Sequence, residues 1–143
     1  MLIRSLFRAG TLLALSLPVL AAPVATLFKD PSCGCCSKWG EHMASKQLPL
    51  TIAPRSDMSA IKDQLQVPAK LRSCHTATIG KYVFEGHVPA DLVQKVLKEK
   101  PDIRGLAVAG MPQGSPGMET GAKQPYQVMA FDAKGKQWVY ANR

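Results

Sequence analysis

Three of the four cysteines fall within four positions, Cys33-Gly34-Cys35-Cys36, and this crowding limits what the chain can fold into. A short apolar run, Ala25-Thr26-Leu27-Phe28, precedes it; Cys36, Trp39 and Met43 succeed it at helical spacing. The stretch therefore reads as a strand, a tight turn and the first turn of a helix. Thiols at a helix N-terminus face unpaired backbone N–H groups and the positive end of the helix dipole, which favour thiolate over thiol. Thiolate is the form that attacks disulfides and binds soft metals. Cys35 and Cys36 are adjacent, and a bond between neighbours is strained. Cys33 and Cys36 have C-x-x-C spacing and could close reversibly, and either Cys35 or Cys36 could reach the remote Cys74. None of these pairings resembles an inert staple across a long loop.

Residues 1–22 read as a secretory signal. Arg4 and Arg8 give a positive start, Thr11 to Leu20 is apolar but too short to span a bilayer, and Val19-Leu20-Ala21 offers small residues for cleavage. The remaining residues, 23–143, have the size of a single domain with its own core. The expectation is an exported, periplasmic protein with no stable membrane insertion after cleavage. The formal charge falls from +8 to +6 once the two leader arginines go. The lysines are scattered and no basic cluster is interleaved with aromatics, a pattern of solubility and not of nucleic-acid binding.

The mature chain alternates. A first strand covers about Val24 to Phe28 and a helix about Cys35 to Lys46, in which Gly40 marks close packing against a neighbour. Leu50 to Ala53 is a strand ended by Pro54. A second helix, capped by Ser56 or Asp57, carries Met58, Ile61 and Leu65 on its apolar side and stops at Pro68. Leu71 to His75 is a loop entering a hairpin of Thr76 to Ile79 and Tyr82 to Glu85, joined at Gly80-Lys81. Pro89 to Lys100 is the clearest helix, with Leu92, Val93, Val96 and Leu97 as its buried stripe. Gly105 to Gly121 is rich in Gly and Pro and reads as one long loop, of the kind that often covers a site. A last hairpin spans about Gln127 to Phe131 and Gln137 to Tyr140. The expected class is α/β: a sheet with flanking helices, then a Gly/Pro-rich loop and a C-terminal β-hairpin.

This order of elements resembles the thioredoxin fold. The resemblance implies that the loop entering the hairpin, here with Cys74 and His75, touches the cysteine turn. It also implies that the end of the second hairpin strand, here His87, returns to the same edge.

Two chemistries compete for such a site. Four cysteines could hold one tetrahedral zinc, but structural zinc sites use two separated knuckles, whereas here three donors crowd one turn. Crowded thiolates suit sulfur bridging between several ions. Cu(I) tolerates low coordination numbers and bridging thiolates, so a small copper–thiolate cluster fits. An iron–sulfur cluster is chemically compatible but hard to insert into a chain exported unfolded. The rival is a thiol–disulfide oxidoreductase using Cys33 and Cys36. It needs only two thiols and leaves Cys35 and Cys74 as surplus reactive groups.

Four motifs in order, Asp30-Pro31-Ser32-Cys33-Gly34-Cys35-Cys36, Arg72-Ser73-Cys74-His75-Thr76, Glu85-Gly86-His87-Val88-Pro89 and Gly110-Met111-Pro112 through Ser115-Pro116-Gly117-Met118-Glu119, resemble the CopG-type periplasmic copper-resistance proteins. The likeness covers nearly all of the mature chain. It implies a thioredoxin-like domain holding a cysteine-bridged cluster of several copper ions, with Cys33, Cys35, Cys36 and Cys74 as ligands. It implies a role in copper resistance by sequestration or by Cu(I)/Cu(II) interconversion, the latter a copper oxidoreductase activity. The partners it implies are copper ions and other periplasmic copper-handling or redox proteins.

The remaining candidates have plainer alternatives. His75 and His87 are placed as metal ligands or as hydrogen-bond partners of ligands, against the reading of ordinary loop histidines. His42 reads as solvent-facing. Met43, Met58 and Met129 fall on apolar patterns and read as packing. Met111 and Met118 lie in the Gly/Pro loop, where packing explains them less well and a thioether could pass Cu(I) to the thiolates. Trp39 reads as core or as a lid on the thiol turn, and Ser32 as a helix cap.

Overall fold

The computed structural model describes residues 24–143; the leader expected at 1–22 lies outside the described residues. Strand β1 (Ala25–Lys29) runs into the cysteine turn and helix α1 (Gly34–Ser45), which returns the chain to β2 (Thr51–Pro54), parallel to β1. Helix α2 (Met58–Gln64) and a 3-10 turn over Ala69–Leu71 lead to β3 (His75–Ile79) and β4 (Tyr82–Glu85), antiparallel to each other. Helix α3 (Ala90–Glu99) is succeeded by β5 (Gly105–Ala107), β6 (Gln127–Phe131) and β7 (Gln137–Asn142). Among the described residues the seven strands form one sheet in the order β2-β1-β3-β4-β5-β6-β7. The first four, with the helices between them, make the expected thioredoxin-like unit.

Period-two alternation sorts the core onto two faces. Phe84, Leu106 and Ala130 join Leu27, Trp39, Met43 and Val93 in the larger cluster. Their neighbours Val83, Ala107 and Phe131 pack with Val67 and Leu71 on the other face. Helix α1 buries Cys36, Trp39 and Met43, and a Cβ on Gly40 would stand 3.1 Å from Leu27 Cδ2, so the helix lies close against β1 as its glycine suggests. Among the described residues no helix is long and apolar enough to cross a membrane.

Several strand ends differ by a residue or two from those expected of the sequence, β2 including Pro54 and β7 reaching Asn142, and two differences bear on the site. The stretch from Gly105 is not all loop, because its first three residues form β5, parallel to β4. A strand of this length gives no periodicity to detect, and burial of all three residues removes the alternation. Through β5 the C-terminal hairpin joins the main sheet. Gly105 is required there, since a Cβ would lie 1.8 Å from the Val83 carbonyl oxygen. We therefore expect Gly105→Ala to lower stability by about 3 kcal/mol, the top of the range for overpacking, in urea unfolding; an unchanged midpoint would mean that β5 is not packed this way. In the second difference, β3 begins at His75, one residue earlier than expected, and His75 pairs with Lys29 across the sheet. That pairing takes His75 out of the loop and buries it.

Candidate metal centre

The turn that presents the cysteines is tied down before the helix begins. Asp30 Oδ1 accepts from the Ser32 amide at 2.9 Å and from Ser32 Oγ at 2.5 Å. Those bonds hold the Asp30 carboxyl below its ordinary pKa. The Cys33 amide donates to the Asp30 carbonyl at 3.1 Å. Lys29, itself buried, donates its Nζ to the Asp30 and Pro31 carbonyls at 2.9 and 3.3 Å. Ser32 is thus a turn residue and not the cap; Cys33 occupies the N-cap with extended backbone and no side-chain capping bond. Cys35 and Cys36 fall in the first helical turn, among the unpaired N–H groups.

Cys33 and Cys36 are joined as a disulfide with Cα atoms 5.4 Å apart, while Cys35 and Cys74 are free. Cys35 Sγ lies 3.6 Å from Cys33 Sγ. All four sulfurs lie within 4.8 Å of one another. Of the pairings open from sequence, the C-x-x-C one is present and the cross-pairing to Cys74 is not.

Cys74 reaches the turn from the loop before β3, where it meets both expected histidines. Its Sγ is 3.3 Å from His75 Nδ1 and 3.1 Å from His87 Nε2, and these three donor atoms also fall within 4.8 Å of one another. His87 Nδ1 is 2.7 Å from the Pro116 carbonyl oxygen. A carbonyl only accepts, so Nδ1 carries the proton, and in the neutral ring Nε2 faces the sulfur with its lone pair. Burial pushes both imidazoles below the ordinary histidine value; His75 goes well below it, because protonating it would also set it against a protonated His87 and against Lys62. Both rings are therefore neutral at pH 7, the form that ligates metals. His75 is fully buried, its ring centroid 4.6 Å from that of Trp39 and 5.0 Å from that of His87. Among the described residues its Nε2 has no hydrogen-bond partner. Burial and the neighbouring Cys35 push the Cys74 thiol up to about 11. A soft cation would displace that proton to form a bond.

Trp39 is both core and wall: it is fully buried and donates Nε1 to the Val88 carbonyl at 2.9 Å. His42 departs from its expected solvent position, being half-buried with Nε2 accepting from the Ala90 amide at 3.4 Å. Met111 comes to the site, its Sδ 4.0 Å from Cys35 Sγ. Met118 is fixed in the loop by backbone bonds to Gly114 and Ser115. Met43 is core, and Met129 packs against the cluster around Phe131.

Sequence reasoning misses the buried polar group behind Cys74. Glu85 is fully buried and accepts from Lys62 Nζ at 2.6 Å, the Ser73 amide at 2.7 Å and Thr76 Oγ1 at 2.6 Å. Burial raises its carboxyl pKa, and Lys62 with the other donors pulls it back. Lys62 also donates to Thr76 Oγ1 at 2.9 Å. The one signal in the chain is Glu85 itself, closing the apolar run Tyr82-Val83-Phe84 where a sheet residue has no route to water.

The chain's likenesses agree with this geometry. The family described as "Protein of unknown function, DUF411" matches residues 71–118, a span holding Cys74, both site histidines and Met111. No curated protein matches. Two solved structures, "Copper resistance protein copG- Form 2" and "Copper resistance protein copG- Form 1", are each similar at 40% identity and a TM-score of 0.80. Both matches cover 86% of this chain, and 99% and 98% of the respective solved chains. With that identity extending over essentially the whole length of its relatives, the chain belongs to the CopG family of copper resistance proteins.

Proposed function

We propose that this protein binds copper as a multinuclear cluster bridged by Cys33, Cys35, Cys36 and Cys74, with His75 and His87 as further ligands, and so contributes to copper resistance. The observation that carries the reading is the convergence of four sulfurs, with two neutral imidazoles at Cys74, inside a few ångströms. Thiolate and imidazole in that number select Cu(I) over harder cations. The working unit is the single domain of residues 23–143, exported to the periplasm by the leader at 1–22.

Interconversion of Cu(I) and Cu(II) is the finer part of the proposal, and the Cys33–Cys36 bridge supports it. Two thiolates that join as a disulfide release two electrons, enough to reduce two Cu(II) to Cu(I); reopening the bridge takes two electrons and two protons from a periplasmic dithiol partner. Oxidation of bound Cu(I) would instead pass one electron per ion to a redox protein.

The test is a copper titration of reduced protein, read by metal content and free-thiol count together. The fully reduced chain should take up more than one copper with loss of all four titratable thiols. The chain with Cys33–Cys36 closed should take up fewer. A ratio of one or less for the reduced chain would overturn the cluster.

A second reading, a thiol–disulfide oxidoreductase, has the bridge at a helix N-terminus in its favour. Insulin reduction by the metal-free protein, coupled to a dithiol, would support it.

A further inference from the structure

Met111 is an apolar side chain left 51% exposed beside a free thiol. Hydrophobic burial does not explain it. Chance placement on a loose loop does not either, because the loop is bound to the site on both sides of it. Ser73 Oγ, next to Cys74, donates to the Gly110 carbonyl, and Gly110 takes the left-handed conformation at φ +68° that aims the following residue. Beyond Met111, Ser115 folds back on the Pro112 carbonyl through its amide at 3.1 Å and its Oγ at 2.7 Å. His87 holds the Pro116 carbonyl at 2.7 Å. Gly117 lies so close on α1 that a Cβ would stand 2.9 Å from both the Cys35 carbonyl oxygen and the Trp39 amide nitrogen. The loop is thus seated on the Cys35, Cys74 and His87 segments at once, and the side chain it presents at the exposed edge is a thioether 4.0 Å from Cys35 Sγ.

We infer that Met111 is the receiving ligand of the site, the first protein donor that an incoming Cu(I) ion meets before Cys35 takes it inward. This rests on the copper-binding reading above and adds a route to it. A thioether is a soft donor that suits Cu(I). It is neutral and carries no proton, so it can bind and release the ion without waiting for deprotonation. The exchange conserves charge and oxidation state. Met111 Sδ bonds to Cu(I) as one donor of the incoming carrier leaves. Cys35 Sγ then bonds to the same ion, giving its proton to water, and the Sδ–Cu bond breaks.

The test monitors transfer of Cu(I) from a coloured Cu(I) chelator to fully reduced protein by stopped flow, with final copper per chain measured alongside. Met111→Leu keeps the shape and exposure and removes the sulfur. The expected result is transfer slower by roughly tenfold, the low end of what supporting partners of a metal site contribute, with an unchanged final copper content. Titration of methyl-labelled protein with Ag(I), a redox-inert mimic, should shift the Met111 methyl resonance at the first additions. Equal transfer rates for wild type and Met111→Leu would overturn the inference. So would an unchanged rate with a lower copper content, which would make Met111 a permanent ligand. A reduced wild-type chain that takes no Cu(I) from the chelator would instead sink the copper reading itself, and with it this step.

Discussion

Reduced Cys74→Ser protein should take up at most one copper per chain while its metal-free form still closes the Cys33–Cys36 bridge. Cys74 is the one cysteine delivered from outside the turn, and its sulfur lies against both imidazoles, at 3.3 and 3.1 Å. Without it the remaining cysteines are three on a single turn. Serine nearly preserves shape but offers a hard oxygen that stays protonated and does not bridge soft ions. The fold should survive, because Cys74 is only half-buried and a hydroxyl can still bond to either histidine, so the stability change should stay near 1 kcal/mol. Copper content after loading, far-UV circular dichroism and an insulin-reduction assay make the measurement. Retained insulin reduction with lost copper separates the two uses of the cysteines. Full copper loading by the serine variant would show that the cluster does not need residue 74.

Much of this site is legible in the chain because topology does the work. Once the alternation of elements resembles a thioredoxin-like unit, the positions of Cys74 and His87 relative to Cys33-Gly34-Cys35-Cys36 come from where strands end. Local pattern cannot show which sulfurs pair, since Cys33–Cys36 and Cys74 cross-pairings both remain open on spacing alone. It cannot show β5 either, whose three buried residues Gly105-Leu106-Ala107 look like the start of the Gly/Pro loop. His75 reads as a loop residue because the expected start of β3 is one residue late, and one residue decides whether a side chain lies in a sheet or beside it. Lys62 escapes notice for a different reason. It sits next to the apolar Ile61 on a short helix and reads as solvated, and only the three-dimensional partner Glu85 shows that its ammonium is buried.

That buried pair gives the largest expected effect on stability. Lys62 and Glu85 are 7% and 0% exposed at their side chains and 2.6 Å apart. Removing one partner leaves an uncompensated charge in the interior, which typically costs about 3–5 kcal/mol. We expect Lys62→Met to fall in that range in urea unfolding. The double variant Lys62→Met with Glu85→Leu should recover much of the loss, because exchanging both charges for apolar groups removes the stranded carboxylate, though the Ser73 amide and Thr76 hydroxyl then lose their acceptor. The pair also bears on the metal site. Glu85 holds the Ser73 amide at 2.7 Å, one residue before Cys74, so it fixes where that sulfur stands. The double variant should therefore refold toward wild-type stability yet bind copper more weakly, by roughly tenfold to a hundredfold as for other groups that orient metal ligands. Competition against a Cu(I) chelator at matched thiol reduction reads the affinity. A double variant that regains stability and keeps wild-type affinity would reduce the network to a purely structural strut; a Lys62→Met protein as stable as wild type would mean that Glu85 is not charged in the folded chain.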